Sequence, residues 1–108
     1  MVKILIDDCF PAGFSESMRK HFDIVNISDL NPDSIKDETI LRKADEEGVQ
    51  FWLTSDKNLP FTQQLQHFKI AVAILYSENN LFPSLLEMES KIVDRISRSN
   101  GEKFFVIT

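Results

Sequence analysis

The chain has 108 residues, 43% of them hydrophobic, with nine Phe, one Trp and one Tyr. That length suits one domain and is too short for two, and the apolar content supports one continuous core, which excludes a disordered chain. The net charge of -5 argues against a nonspecific coat for nucleic acid, although a metal-dependent nuclease can be acidic, because its ligands are carboxylates and the cation reverses the local field.

Residues 2–6 form a compact β-branched run that ends in Asp7 and Asp8, and they read as a buried strand. Pro11 suits the first turn of a helix, and Phe14, Met18 and Phe22 recur at helical spacing, which predicts a helix over 11–22. Residues 23–28 read as a second strand, and Asn31-Pro32-Asp33-Ser34 as a turn. A helix is predicted over 37–47, with Ile40, Leu41 and Ala44 on one face and Gly48 as its stop.

Residues 49–54 read as a third strand, running into Thr54-Ser55-Asp56. A loop and a short helix over 61–68 follow, then a fourth, nearly continuous apolar strand over 70–76. Residues 81–98 read as the longest helix, with Phe82, Leu85, Leu86, Ile92, Val93 and Ile96 on one face. Asn100-Gly101 is a turn, and 104–107 a last strand. This alternation predicts a single α/β domain over 1–108. Its central sheet is expected to be mainly parallel, with helices on both faces and right-handed crossovers.

One cysteine forbids an intrachain disulfide. The opening apolar run is too short for a signal peptide, and no stretch approaches the roughly 20 apolar residues of a membrane span. A cytoplasmic protein without membrane attachment is expected.

Ligands of open α/β sheets bind outside the carboxyl ends of the strands. The residues there are Asp7 and Asp8 after strand one, and Ser28 and Asp29 after strand two. Thr54, Ser55 and Asp56 end strand three, and Tyr76, Ser77 and Glu78 end strand four. Asp37 and Glu38 open the helix before strand three. Crowded carboxylates repel one another, and a hard cation such as Mg²⁺ or Mn²⁺ relieves that repulsion. No histidine cluster competes for zinc.

Ile4-Leu5-Ile6-Asp7-Asp8-Cys9-Phe10-Pro11 resembles the opening of the small PIN-like proteins. Residues 37–44 are similar to their second motif, an acid-led helix. Phe51-Trp52-Leu53-Thr54-Ser55-Asp56-Lys57-Asn58-Leu59 is similar to their third. The resemblance implies a PIN-like three-layer α/β/α fold and a metal-dependent endoribonuclease, often the toxin opposed by a small antitoxin protein. It also implies that Asp7, Asp37 and Asp56 hold the metal, with Asp8 auxiliary and Thr54 orienting the site. Asn58 stands where the family commonly has another Asp, and Lys36 stands where a small hydroxyl residue is commoner. Lys36, Lys57 and Arg42 are the expected rim contacts to RNA, with Asn58 beside them, and a homodimer is compatible with the pattern.

Structural readings stand beside these. Asp37 suits the first turn of a helix on that ground alone, and Asp56 suits an Asp-Lys turn. Cys9 reads as a small packed residue, His21 and His67 as isolated, and Asp45-Glu46-Glu47 as a solvated helix end. The aromatic residues read as core, with some free to form a patch for a partner. Two rival functions follow. One is a binding module with a weak or absent metal site, favoured by Asn58 and the acidic charge. The other is a receiver-like phosphoacceptor domain using Asp56 and Lys103.

Overall fold

A computed structural model describes residues 1–30, 36–76 and 82–108, with the side chains of Phe82 and Pro83 left aside. Five strands form one sheet: β1 (Lys3–Ile6), β2 (Asp23–Asn26), β3 (Phe51–Thr54), β4 (Ala71–Leu75) and β5 (Phe104–Ile107). The order is β2-β1-β3-β4-β5, and every pairing is parallel. The sheet is therefore wholly rather than mainly parallel. Parallel strands need crossovers, and the helices α1 (Ala12–Met18), α2 (Asp37–Glu46), α3 (Leu59–Thr62), α4 (Phe82–Glu87) and α5 (Glu89–Ser97) lie in them.

Both faces of the sheet are covered, which is why its inner strands are apolar runs without alternation. All five residues of β4 are buried. Ile4 and Ile6 point to a core shared with Phe14 and Met18 of α1, Leu85 of α4, and Ile92 and Ile96 of α5. Leu5, Trp52, Val72 and Ile74 point to a second core with Ile40, Leu41 and Ala44 of α2 and Leu59 of α3. The molecule is thus a three-layer α/β/α arrangement.

The predicted elements survive with shifted bounds. The first helix stops at Met18 rather than at 22. The amides of His21 and Phe22 both bond the Met18 carbonyl, so turns carry Phe22 into the core and leave room for β2 at Asp23. β2 ends at Asn26, whose amide donates to Asp29 Oδ2 at 2.9 Å, and residues Ile27–Leu30 form a 3-10 turn. The helix expected over 81–98 is two helices that break at Met88. There the amide reaches back three residues to Leu85, with no Gly or Pro to announce it. The short helix begins earlier than expected, at Leu59 with Pro60 in its first turn, and a 3-10 turn at Leu65–His67 follows.

Gly48 ends α2 with φ of 75°, a left-handed conformation that favours glycine, and Gly101 turns into β5 with φ of 78°. The turn at Asn31-Pro32-Asp33-Ser34, the residues Ser77 and Glu78, and the expected helix start at Leu81 lie outside the described residues.

Three smaller expectations are corrected. Asp45 is not a solvated helix end, because its carboxylate accepts the amides of Lys69 and Ile70, each at 2.9 Å, and ties α2 to the approach to β4. His21 is not isolated, since its Nε2 meets Glu89 Oε1 at 2.6 Å. Cys9 is exposed rather than packed, with its Sγ 3.2 Å from Ser55 Oγ.

Candidate functional site

In the 2-1-3-4-5 order, the chain runs outward from β1 to β2 and then returns across β1 to β3. The crevice at such a reversal lies outside the carboxyl ends of β1 and β3 and is the usual ligand place of open α/β sheets. Asp7 leaves β1 there, and Thr54-Ser55-Asp56 leaves β3 beside it.

The two strand ends are wired together. The Asp7 amide donates to the Leu53 carbonyl at 3.2 Å, extending the ladder by one residue. Thr54 is 0% exposed. Its hydroxyl donates to Asp7 Oδ2 at 2.6 Å and accepts the Asp56 amide at 3.1 Å. A buried hydroxyl must be satisfied, and this one is satisfied twice, so it holds both acids in place. Asp56 in turn accepts the Asn58 amide on Oδ1 at 2.9 Å, and its carbonyl accepts the Leu59 amide at 3.3 Å. That turn starts α3.

Asp37 enters from the loop between β2 and β3, as the first residue of α2. Its carboxyl is pushed above the ordinary aspartate range, first by burial, then by the negative charge of Asp56, then by that of Asp7. The charges of Asp7 and Asp56, which lie on two other segments of the chain, therefore reach Asp37 at this sheet edge. Among the described residues, no three His, Cys, Asp or Glu side chains stand close enough to ligate one ion directly. The donor chemistry still fits a hard divalent cation. All three groups are carboxylates, their mutual repulsion is what a cation relieves, and Mg²⁺ keeps several of its own waters.

The remaining predicted residues spread around this edge. Asp8 is exposed and lies with Asp7 on a cleft of about 260 Å³ toward α1. Lys36 precedes Asp37 and gives its carbonyl to the Ile40 amide. Lys57 places its ammonium 4.3 Å from the centre of the Tyr76 ring. Asn58 is exposed at the start of α3. Arg42 is on the exposed side of α2, 3.5 Å from Glu38.

The cleft beside Asp7 also contains residues that the sequence did not single out. Asn26, at the end of β2 opposite Ile6, accepts the hydroxyl of buried Ser15 on Oδ1 at 3.2 Å. Arg19 closes the far wall, with its guanidinium on the Ile24 carbonyl and on Glu16. The available signal was the position of Asn26 at a strand end, and reading it needed the register of β2 against β1.

Lys103 precedes β5 and bonds the Phe68 carbonyl ahead of β4, at the opposite edge from Asp56. The Asp56–Lys103 pair required by a receiver-like domain is therefore separated by the length of the strands. No family model matches this chain, and no curated protein or solved structure matches it significantly. Among the described residues, no helix is long and apolar enough to cross a membrane.

Proposed function

We propose that this chain is a metal-dependent endoribonuclease of PIN-like type, acting at the carboxyl edge of β1 and β3. The observation that carries the reading is the junction of β1 and β3, where the buried Thr54 hydroxyl donates to Asp7 and accepts the Asp56 amide, and where Asp37 has its pKa raised by burial first and then by the charges of Asp56 and Asp7. A fold does not place three acids within electrostatic reach at a switch point for stability, because their repulsion opposes folding.

Asp7, Asp37 and Asp56 would hold the ion in part through waters that it keeps, since the three carboxylates do not converge closely enough to ligate it directly. Bound Mg²⁺ or Mn²⁺ supplies positive charge to the phosphodiester and makes water a stronger nucleophile at neutral pH. The chain's own residues then have separate tasks. Thr54 holds Asp7 and the Asp56 backbone in fixed relation, so neither acid has to reorganise when charge develops. Asp8 lines the approach from α1. Lys57, and Lys36 beside Asp37, supply cations for RNA phosphates at the rim of an otherwise acidic edge. In the cell, a small antitoxin protein covering this edge would silence it, and the cytoplasm is the matching compartment.

A non-catalytic binding module is the second reading. It is favoured by Asn58, which brings an amide rather than a charge to the turn after Asp56, and by the net charge of -5. The deciding experiment is cleavage of mixed RNA by the purified chain with Mn²⁺ and with chelator, beside Asp7→Asn and Asp56→Asn. Metal-dependent cleavage lost in both variants supports the nuclease. No cleavage from folded protein in any lane moves the reading to the binding module.

A further inference from the structure

We infer that the β4–β5 end of the sheet, on the face covered elsewhere by α2 and α3, is a stacking platform for unpaired RNA bases leading from the acidic edge. The inference rests on the nuclease reading for its direction, but it stands on separate residues. β5 is an edge strand, and its residues alternate in burial. Phe105 and Ile107 enter the core with α5, while Phe104 and Val106 are each 41% exposed on the other face. An edge strand ordinarily turns polar side chains to water at such positions.

Phe61 of α3 is 74% exposed, and its ring centre lies 5.5 Å from that of Phe104 in an edge-to-face pair. Tyr76, 40% exposed at the end of β4, lies on the same face of the sheet by strand alternation from buried Ile74. Its ring carries the ammonium of Lys57, the residue after Asp56. Tyr76 at the proposed catalytic edge and the Phe104–Phe61 pair four residues of register behind it therefore share one face, with exposed Val106 between them, and together form a strip.

Charge and area decide the occupant. Lys57 stands at one end of the strip, and Lys103, whose ammonium keeps its charge while it bonds the Phe68 carbonyl, precedes Phe104 at the other. Glu102 is paired with Arg95, which stacks over Phe105 on the opposite face. Cations flanking exposed rings match a polyanion whose bases have free π-faces. The exposed parts of these side chains offer on the order of 300 Å², against roughly 800 Å² per partner in a stable protein interface. That suits one or two bases better than a folded partner. A duplex hides its base faces, so the ligand class is single-stranded.

The test is the fluorescence anisotropy of a labelled single-stranded RNA 12-mer on the full chain in chelator, where no metal-dependent cleavage occurs. Phe61→Ala is expected to weaken binding roughly 5- to 100-fold. Phe61→Leu, which keeps apolar area without a π-face, should lose most of the same affinity, and Phe61→Trp should regain it. A duplex of the same sequence should bind more weakly and ignore residue 61. Undetectable binding of the single strand by folded protein, or wild-type affinity in Phe61→Leu, overturns the platform. So does a sedimentation dimer that Phe61→Ser dissolves while RNA affinity is unchanged, because the patch then belongs to a second copy. Base-stacking without Mn²⁺-dependent cleavage would leave the platform standing and remove the nuclease. Cleavage with a KM indifferent to Phe61→Leu would do the reverse.

Discussion

At the amino edge of the sheet, Asp45 gives both carboxylate oxygens to backbone amides, those of Lys69 and Ile70. At the carboxyl edge, Asp37 is raised in pKa by burial and by the charges of Asp56 and Asp7. Both acids belong to α2, one at each end of the helix, and composition does not tell them apart. The difference lies in what each negative charge faces. A carboxylate that accepts amides stabilises the fold, because charge-assisted hydrogen bonds are the strong ones. Like charges within electrostatic reach of a partly buried carboxyl oppose the fold instead. Cavity size points the other way, since a cleft of about 340 Å³ opens at the Asp45 edge and one of about 260 Å³ beside Asp7. Volume carries no chemistry, and charge distinguishes the two edges where volume does not.

The comparison can be broken most directly at Asp7. Asp7→Asn is expected to lower the cleavage rate by roughly 10²-fold or more while leaving thermal stability nearly unchanged. A large fall in Tm with intact cleavage would make Asp7 a structural acid like Asp45. The mirror experiment is Asp45→Ala. It strands two amides and should cost about 2 kcal/mol in denaturant unfolding, with RNA cleavage per folded molecule unchanged.

Thr54→Val tests the link between the two strand ends. It removes the donor to Asp7 and the acceptor for the Asp56 amide, so a loss of about 1–2 kcal/mol is expected. The rate constant should fall more than the KM rises, because positions shift rather than contacts to RNA.

Asp37→Asn should separate stability from activity. An acid whose native pKa is raised binds its proton more tightly folded than unfolded. Stability is therefore lost as pH rises from the unfolded value through the native one, and the penalty is complete above it. At neutral pH the metal-free Asn variant should melt higher than the parent, with the gain vanishing in acid, while cleavage is lost. An unchanged Tm at both pH values would remove the charge crowding on which the site rests.

The smallest effect is expected at Glu89, where a carboxylate has found a partner outside both edges. Its pKa is lowered, chiefly by the hydrogen bond with His21. The stabilisation is present above the ordinary glutamate value and is lost as pH falls through the depressed one. Glu89→Gln should cost roughly 0.2–1 kcal/mol at neutral pH and nothing in strong acid, measured by urea unfolding.

Much of this was legible from one dimension. Ile4, Leu5 and Ile6 announced a strand buried on both faces, and Gly48 announced the end of α2, because hydrophobic runs and positive φ are local requirements. The break at Met88 was not legible. Leu85, Met88 and Ile92 all enter one core, so the apolar pattern runs through the break, and Met carries no backbone signal. Asp45 was misread for a similar reason, since the amides it holds lie more than twenty residues away.

For the candidate site, the sequence alone determined which acids follow strands: Asp7 after β1 and Asp56 after β3. It also supplied the chemistry, an oxygen-rich set without histidine. Only the tertiary structure decided that β1 and β3 are neighbours, that Thr54 bridges their ends, and that Asp37 arrives from a third segment to feel both charges. It alone also decided that Phe61 and Phe104 are the rings left on the surface, where the pattern had read core with some aromatic residues free for a patch. The physical reason is common to all four. Hydrophobic periodicity is set by each element's own geometry, whereas hydrogen bonds, electrostatic fields and exposure depend on which elements the crossovers bring side by side.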